Sequence, residues 1–116
     1  LGKTLILPEK HFDAVTALSG SGPAYAFTFI QAMADAGVKL GIPRDKAQLL
    51  AAQTLRGSAE MVLSSGDDPI SLRGKVCSPG GTTIAAVHVL ERAGFSGTIM
   101  DAVEEAAVVS ARLGKK

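Results

Sequence analysis

The 116-residue sequence contains no tryptophan, one tyrosine, four phenylalanines and a single cysteine. One cysteine, Cys77, excludes an internal disulfide and supplies no thiolate cluster for a metal, which fits a reducing, cytoplasmic setting. No apolar run nears the ~20 residues that span a bilayer, and no signal peptide is visible, so no membrane role is expected. Charge of neither sign dominates: 12 basic and 11 acidic residues give a formal net charge of +1. With no basic stripe and no aromatic platform, a dedicated nucleic-acid binder is not expected either. An initiator methionine is also missing. The chain starts Leu1-Gly2-Lys3, which predicts a piece of a longer protein.

What is present is small and apolar. Hydrophobic residues make up 47% of the chain but aromatics only 4%, and there are 13 glycines. The apolar content is mostly alanine, valine, leucine and isoleucine; the small residues among them and the glycines let helices approach closely but give a thin core for each residue. A chain of this length can fold as one domain. One so apolar and so poor in bulk is expected to cover part of its surface with a partner, so oligomerisation is the default expectation.

Helical signals run along most of the chain. Lys3-Thr4-Leu5-Ile6-Leu7 reads as a short strand or arm with nothing to pair with, which suggests a missing neighbour upstream. Pro8 suits the first position of a helix through Phe12, Val15 and Leu18. Ser19-Gly20-Ser21-Gly22-Pro23 breaks that helix, and Pro23 opens the next. That segment, from Ala24 to Leu40, has small or apolar residues on most faces, which predicts burial nearly all round. The Gly/Ser break lacks the full GxGxxG pattern, so dinucleotide binding is not assigned to it. Gly41 reads as a helix C-terminal glycine and Pro43 as the first residue of a long helix from Arg44 to about Ser65.

That long helix carries a stripe through Ala47, Leu50, Ala51, Leu55, Met61 and Val62. A second apolar face, with Leu49, Ala52, Ala59 and Leu63, requires a second neighbour. Gly57 costs the helix about 1 kcal/mol relative to alanine, so its use is expected to be a close helix crossing. Gly66 stops the helix. Asp68-Pro69 reads as an N-cap followed by the first residue of a short helix through Leu72 and Val76. A helix from Thr82 to about Arg92 ends at Gly94, and Ser96 caps a last helix from Gly97 to Leu113 with Val103, Ala106, Ala107 and Ser110 inward. Lys115 and Lys116 are expected to fray. The predicted fold class is all-α.

One stretch, Cys77-Ser78-Pro79-Gly80-Gly81-Thr82-Thr83, looks selected for chemistry. Proline stiffens the backbone, two glycines release it, and two threonines open a helix. Such a turn delivers unpaired helix N-terminal amides and the positive end of a helix dipole, which suit an anion. The hydroxyls of Ser78, Thr82 and Thr83 add donors. A plain, well-capped helix start remains the competing reading.

Other candidates fall away. His11 sits among Glu9, Lys10 and Asp13, where a solvated role is favoured over catalysis, and His88 reads as a packing or interface residue. Cys77 has no base near it in sequence, so a structural thiol is favoured. Asp67-Asp68 and Glu104-Glu105 are adjacent pairs that diverge in direction, and neither forms a metal site. Binding is the chemistry left, with the reactive group supplied from elsewhere.

Two blocks together resemble a known family. Asp13-Ala14-Val15-Thr16-Ala17-Leu18-Ser19-Gly20-Ser21-Gly22-Pro23-Ala24-Tyr25 and Ser78-Pro79-Gly80-Gly81-Thr82-Thr83-Ile84 are similar to the two signature segments of the Δ1-pyrroline-5-carboxylate reductases. Gly41-Ile42-Pro43 and Ala51-Ala52-Gln53-Thr54 between them keep the family spacing. The resemblance implies a helical C-terminal domain of the 6-phosphogluconate dehydrogenase C-terminal-like kind, whose long helices interleave in a homodimer or in a larger ring of dimers. Residues 1–9 would then be the end of an N-terminal Rossmann domain and its linker, and residues 10–116 the dimerisation and substrate-binding domain. The implied reaction reduces pyrroline-5-carboxylate to L-proline with NAD(P)H, bound mainly by the N-terminal domain, with no metal.

The same resemblance implies site residues. Ser78, Gly80, Gly81, Thr82 and Thr83 would hold the substrate carboxylate, and Thr83 would also face the ring nitrogen as the catalytic residue. Thr16 and Ser21 would line the active site, although Ser21 could equally be a helix cap. On its own, this chain would be inactive. Two alternatives remain: a non-catalytic helical oligomerisation module that binds a small anion, and a related imine or keto reductase with another substrate.

Overall fold

A computed structural model describes residues 5–115. Six α-helices follow one another: α1 Phe12–Val15, α2 Gly22–Lys39, α3 Arg44–Ser65, α4 Pro69–Lys75, α5 Thr82–Arg92 and α6 Phe95–Gly114. A 3-10 turn, Glu9–His11, leads into α1, and a π-helical turn, Thr16–Gly20, follows it. The all-α expectation holds among the described residues. Of the expected N-terminal strand, Lys3 and Thr4 lie outside them, and Leu5, Ile6 and Leu7 form no regular element. A strand needs a neighbour to satisfy its backbone, and the described residues provide none.

The local stop signals act where the sequence places them. Gly41, Gly66, Gly80 and Gly94 all have positive φ, and each marks a helix end or turn. At the end of α2, the Ile42 amide donates to the Gly37 carbonyl and the Gly41 amide to Val38, both at 2.9 Å. This paired arrangement uses up the last carbonyls of the helix. At α4, the Asp68 carboxylate accepts the Ser71 amide at 2.9 Å with Pro69 next in the chain, as expected.

Three starts differ from expectation. Pro8 and Pro43 precede their helices instead of opening them: their ψ values are 148° and 144°, which are extended. Each carbonyl takes the first helical bond, from His11 at 3.0 Å and from Ala47 at 2.9 Å. A proline φ suits either position, so only ψ separates them. Ser96 does not cap α6. The Thr98 amide already closes onto the Gly94 carbonyl at 2.9 Å, so the helix begins at Phe95. The expected break at Ser19–Pro23 narrows to a single bend at Ser21, because Ser19 and Gly20 stay helical and α2 begins at Gly22.

The chain forms two compact units. The first joins the residues up to Tyr25 with those from Gly94 onward. Here α6 packs on α1 and on the π turn. Ala17 is fully buried there, and the inward residues expected on α6, Val103, Ala106, Ala107 and Ser110, are half-buried.

The second unit is Ala26–Ala93. Its core is Ala34 on α2 with Ala47 and Ala51 on α3, flanked by Ile30, Met33 and Ile42. Gly37 makes this approach close, since a Cβ there would sit 3.0 Å from the Ala47 methyl. Arg44 and Asp35 pair at 2.6 Å across the same corner, on the exposed side where such pairs contribute little.

Nothing larger than alanine is fully buried among the described residues. The all-round burial expected for α2 is therefore not met within the chain: Phe27 is 68% exposed and only Ala34 is buried. On α3, Leu49, Leu50, Met61, Val62 and Leu63 are all exposed. Gly57 has no atom within 4 Å of where its Cβ would be, so no described element of its own unit crosses there.

Candidate functional site

The stretch from Ser78 to Thr83 folds as one turn leading into α5. The Gly81 amide donates to the Ser78 carbonyl at 3.0 Å, and Gly80 between them has φ +70°. Proline second and a positive-φ glycine third is the pattern of a type II turn, which a side chain at Gly80 would strain. Gly81 is the residue before α5, with extended backbone (φ −86°, ψ −179°) and no side-chain cap. The well-capped helix start therefore lacks its usual side-chain acceptor. The first amides of α5 are left for another acceptor, with the helix dipole behind them.

Ser78 is folded back over this opening. A Cβ at Gly81 would lie 2.5 Å from the Ser78 hydroxyl and 3.2 Å from its carbonyl oxygen. The φ of Gly81 would suit any residue, so its glycine is required by the serine beside it. The turn thus brings the Ser78 hydroxyl beside a bare helix N-terminus, with Thr83 as the second residue of α5. Gly81 and Thr83 are half-buried, whereas Ser78, Gly80 and Thr82 are exposed. That arrangement suits a small anion with more than one oxygen, such as a carboxylate.

Thr16 and Ser21 belong to the first unit and lie at the two ends of the π turn, both half-buried. The Ser21 amide donates to the Thr16 carbonyl at 2.8 Å, so the two close one ring. The Ser21 carbonyl in turn accepts from the Ala24 amide at 3.1 Å, at the start of α2. Nearby, the Tyr25 hydroxyl donates to the Ala17 carbonyl at 2.8 Å, and the Ser19 hydroxyl to Val15 at 3.0 Å. Sequence reading did not assign Tyr25 a role. A tyrosine eight residues from a carbonyl has no periodic signature; the only hint was its place at the end of the first signature block.

Of the rejected candidates, His11 and His88 are exposed, and Cys77 is a half-buried free thiol. Among the described residues no three His, Cys, Asp or Glu side chains gather as a metal site. No described helix is long and apolar enough to cross a membrane.

Fold and turn define an all-α domain built to pack against more protein than it contains. A family model described as pyrroline-5-carboxylate reductase dimerisation matches residues 9–113. A pyrroline-5-carboxylate reductase of Pisum sativum is 54% identical over 113 residues, covering 97% of this chain and 41% of that protein. One from Synechocystis sp. is 50% identical over 116 residues, covering 100% and 43%. Among solved structures, 1-pyrroline-5-carboxylate reductase from Streptococcus pyogenes superposes with a TM-score of 0.90 at 44% identity, covering 94% of this chain and 42% of that one. The pyrroline carboxylate reductase of Plasmodium falciparum, solved with NADP bound, gives 0.89 at 42% identity, covering 93% and 44%. The chain belongs to the pyrroline-5-carboxylate reductase family, and residues 9–113 form its dimerisation domain. It spans about two fifths of the length of the curated relatives it matches.

Proposed function

We propose that this chain is the dimerising and substrate-binding part of an enzyme that reduces Δ1-pyrroline-5-carboxylate to L-proline. The observation that carries the reading is the Ser78–Thr83 turn, where the Ser78 hydroxyl folds against an uncapped helix N-terminus. In this reading the substrate carboxylate accepts from the Ser78 hydroxyl and from the backbone amides around Gly81, Thr82 and Thr83. The Gly80 bend turns those amides to one side. Thr83 places its hydroxyl at the ring nitrogen, where charge changes during reduction. Thr16 and Ser21 are assigned, by the family pattern, as lining residues of the full enzyme's active site.

NAD(P)H supplies hydride to the C=N carbon, and it is bound by a domain preceding residue 10, of which residues 1–9 are the end. The residues of this chain bind the imine, orient it and hold its charge, so the fragment alone is inactive. Self-association as an interleaved homodimer covers the apolar faces of α2 and α3. A core of alanines and an α3 with two apolar faces support that assembly.

The test is pyrroline-5-carboxylate-dependent oxidation of NAD(P)H by the full-length protein, with Thr83→Ala beside it. A hydrogen bond to a charged group contributes about 1.5–3 kcal/mol, so kcat/KM should fall by roughly tenfold to a hundredfold. No turnover of this imine by the parent protein sinks the reading. An unchanged rate for the variant removes Thr83 from the site.

A further inference from the structure

The π turn Thr16–Gly20 interrupts the α-helical path between α1 and α2, and the two lining candidates stand at its ends. Its ring closes from Ser21 back to Thr16, five positions instead of four. Turns of this kind are seldom favoured by the backbone alone and recur at functional sites. Three side chains hold this one. Pro23 has no N–H, so the α-helical bond back to Ser19 cannot form. The Ser19 hydroxyl donates to the Val15 carbonyl at 3.0 Å. The Tyr25 hydroxyl reaches back from the start of α2 to the Ala17 carbonyl at 2.8 Å.

The tyrosine bond differs from the others in what it spans. It ties α2 to the middle of the turn, at the residue next to Thr16. Ala17 has no exposed surface, so water has no ready route to replace a lost phenol hydroxyl. The hydroxyl therefore fixes the width of the turn, and with it the positions of Thr16 and Ser21.

We propose that Tyr25 is a positioning residue for imine binding, acting through the π turn without touching substrate. The proposal rests on the reading of Thr16 and Ser21 as lining residues. The experiment compares Tyr25→Phe, Thr16→Ala, Ser21→Ala, the Thr16→Ala/Ser21→Ala double variant and the triple variant in the full-length protein, with KM measured separately for pyrroline-5-carboxylate and for NAD(P)H. Tyr25→Phe should raise KM for the imine about threefold to tenfold and leave KM for the nucleotide within about twofold. In the Thr16→Ala/Ser21→Ala background the same change should add little, because residues acting as one unit are not additive. Amide exchange at Ser21 should also speed up in Tyr25→Phe while α6 keeps its protection.

An equal rise in both KM values, or the same rise in both backgrounds, overturns the proposal. So does unchanged imine KM with unchanged Ser21 exchange. If Thr16→Ala and Ser21→Ala raise the imine KM but Tyr25→Phe does not, only this proposal fails. If those two variants bind the imine normally, the assignment of lining residues fails and takes the proposal with it.

Discussion

The Ser110 hydroxyl on α6 donates to the Asp13 carboxylate on α1 at 2.7 Å, joining residues 97 positions apart in the chain. The contact is half-buried, and it anchors the last helix beside the turn that presents Thr16. Ser110→Ala should destabilise the first unit by about 1.5–3 kcal/mol, the usual range for a hydrogen bond to a charged group. Urea unfolding of the full-length protein measures it. An unchanged midpoint would mean that water takes over the serine's role.

Gly81→Ala should be damaging although its backbone dihedrals suit alanine. The new methyl would meet the Ser78 hydroxyl at 2.5 Å and push it out of its position over the helix end. The expected result is a tenfold or greater rise in KM for pyrroline-5-carboxylate, on the order of one charged hydrogen bond, with helical content unchanged by circular dichroism. Normal KM would mean that Ser78 holds nothing. Gly80→Ala tests a different cause, the strain of its +70° φ.

Gly57→Leu separates two roles for the middle of α3. Leucine is the better helix former, and no described residue of the same unit stands where its side chain would begin. If α3 packed only within its own chain, the change should be neutral or stabilising by up to about 1 kcal/mol. If a second copy crosses at Gly57, the dimer should weaken toward monomer at micromolar concentration. Light scattering on the full-length protein decides between them.

Acid should loosen α4 through Asp68. The Ser71 amide, and then the Ser71 hydroxyl, hold its carboxyl below the ordinary value of 3.8. A folded value below the unfolded one gives stability that is present above pH ~4 and is lost as pH falls through the folded value. Asp35 behaves the same way, lowered mainly by its bond to Arg44. The comparison of the parent with Asp68→Asn across pH 2–6 isolates the cap: the asparagine variant should lose less stability on acidification. Parallel curves would show that the cap carries no pH dependence.

Much of the fold was readable because helix ends are local chemistry. Asp68-Pro69, Gly66 and Gly94 each act on backbone groups within a few residues, so α3, α4 and α5 were delimited closely. Pro8 and Pro43 were misplaced by one residue because φ is common to both positions and ψ is set by the chain around them. The π turn was unreadable for a stronger reason: its clamp is a hydroxyl eight residues away, across a helix start. The Ser78–Thr83 turn was legible because its parts are contiguous, whereas the contact of Ser78 with Gly81 required coordinates. Of the two apolar faces expected on α3, Leu49, Leu50, Met61, Val62 and Leu63 are exposed in this chain, and the all-round burial expected for α2 is not met within it. A pattern reports that a face is apolar and never which molecule covers it.

Helices that meet through alanine place their backbones close together, and they leave leucine, methionine and phenylalanine on the outside. For a dimerisation domain, acquiring a stable fold and acquiring a partner then become the same event. Newly made chains must find each other before their outward side chains find something else, so assembly should follow second-order kinetics and slow in proportion to dilution. The melting temperature should likewise climb with protein concentration, so the amount of protein made should set how firmly each copy holds its shape.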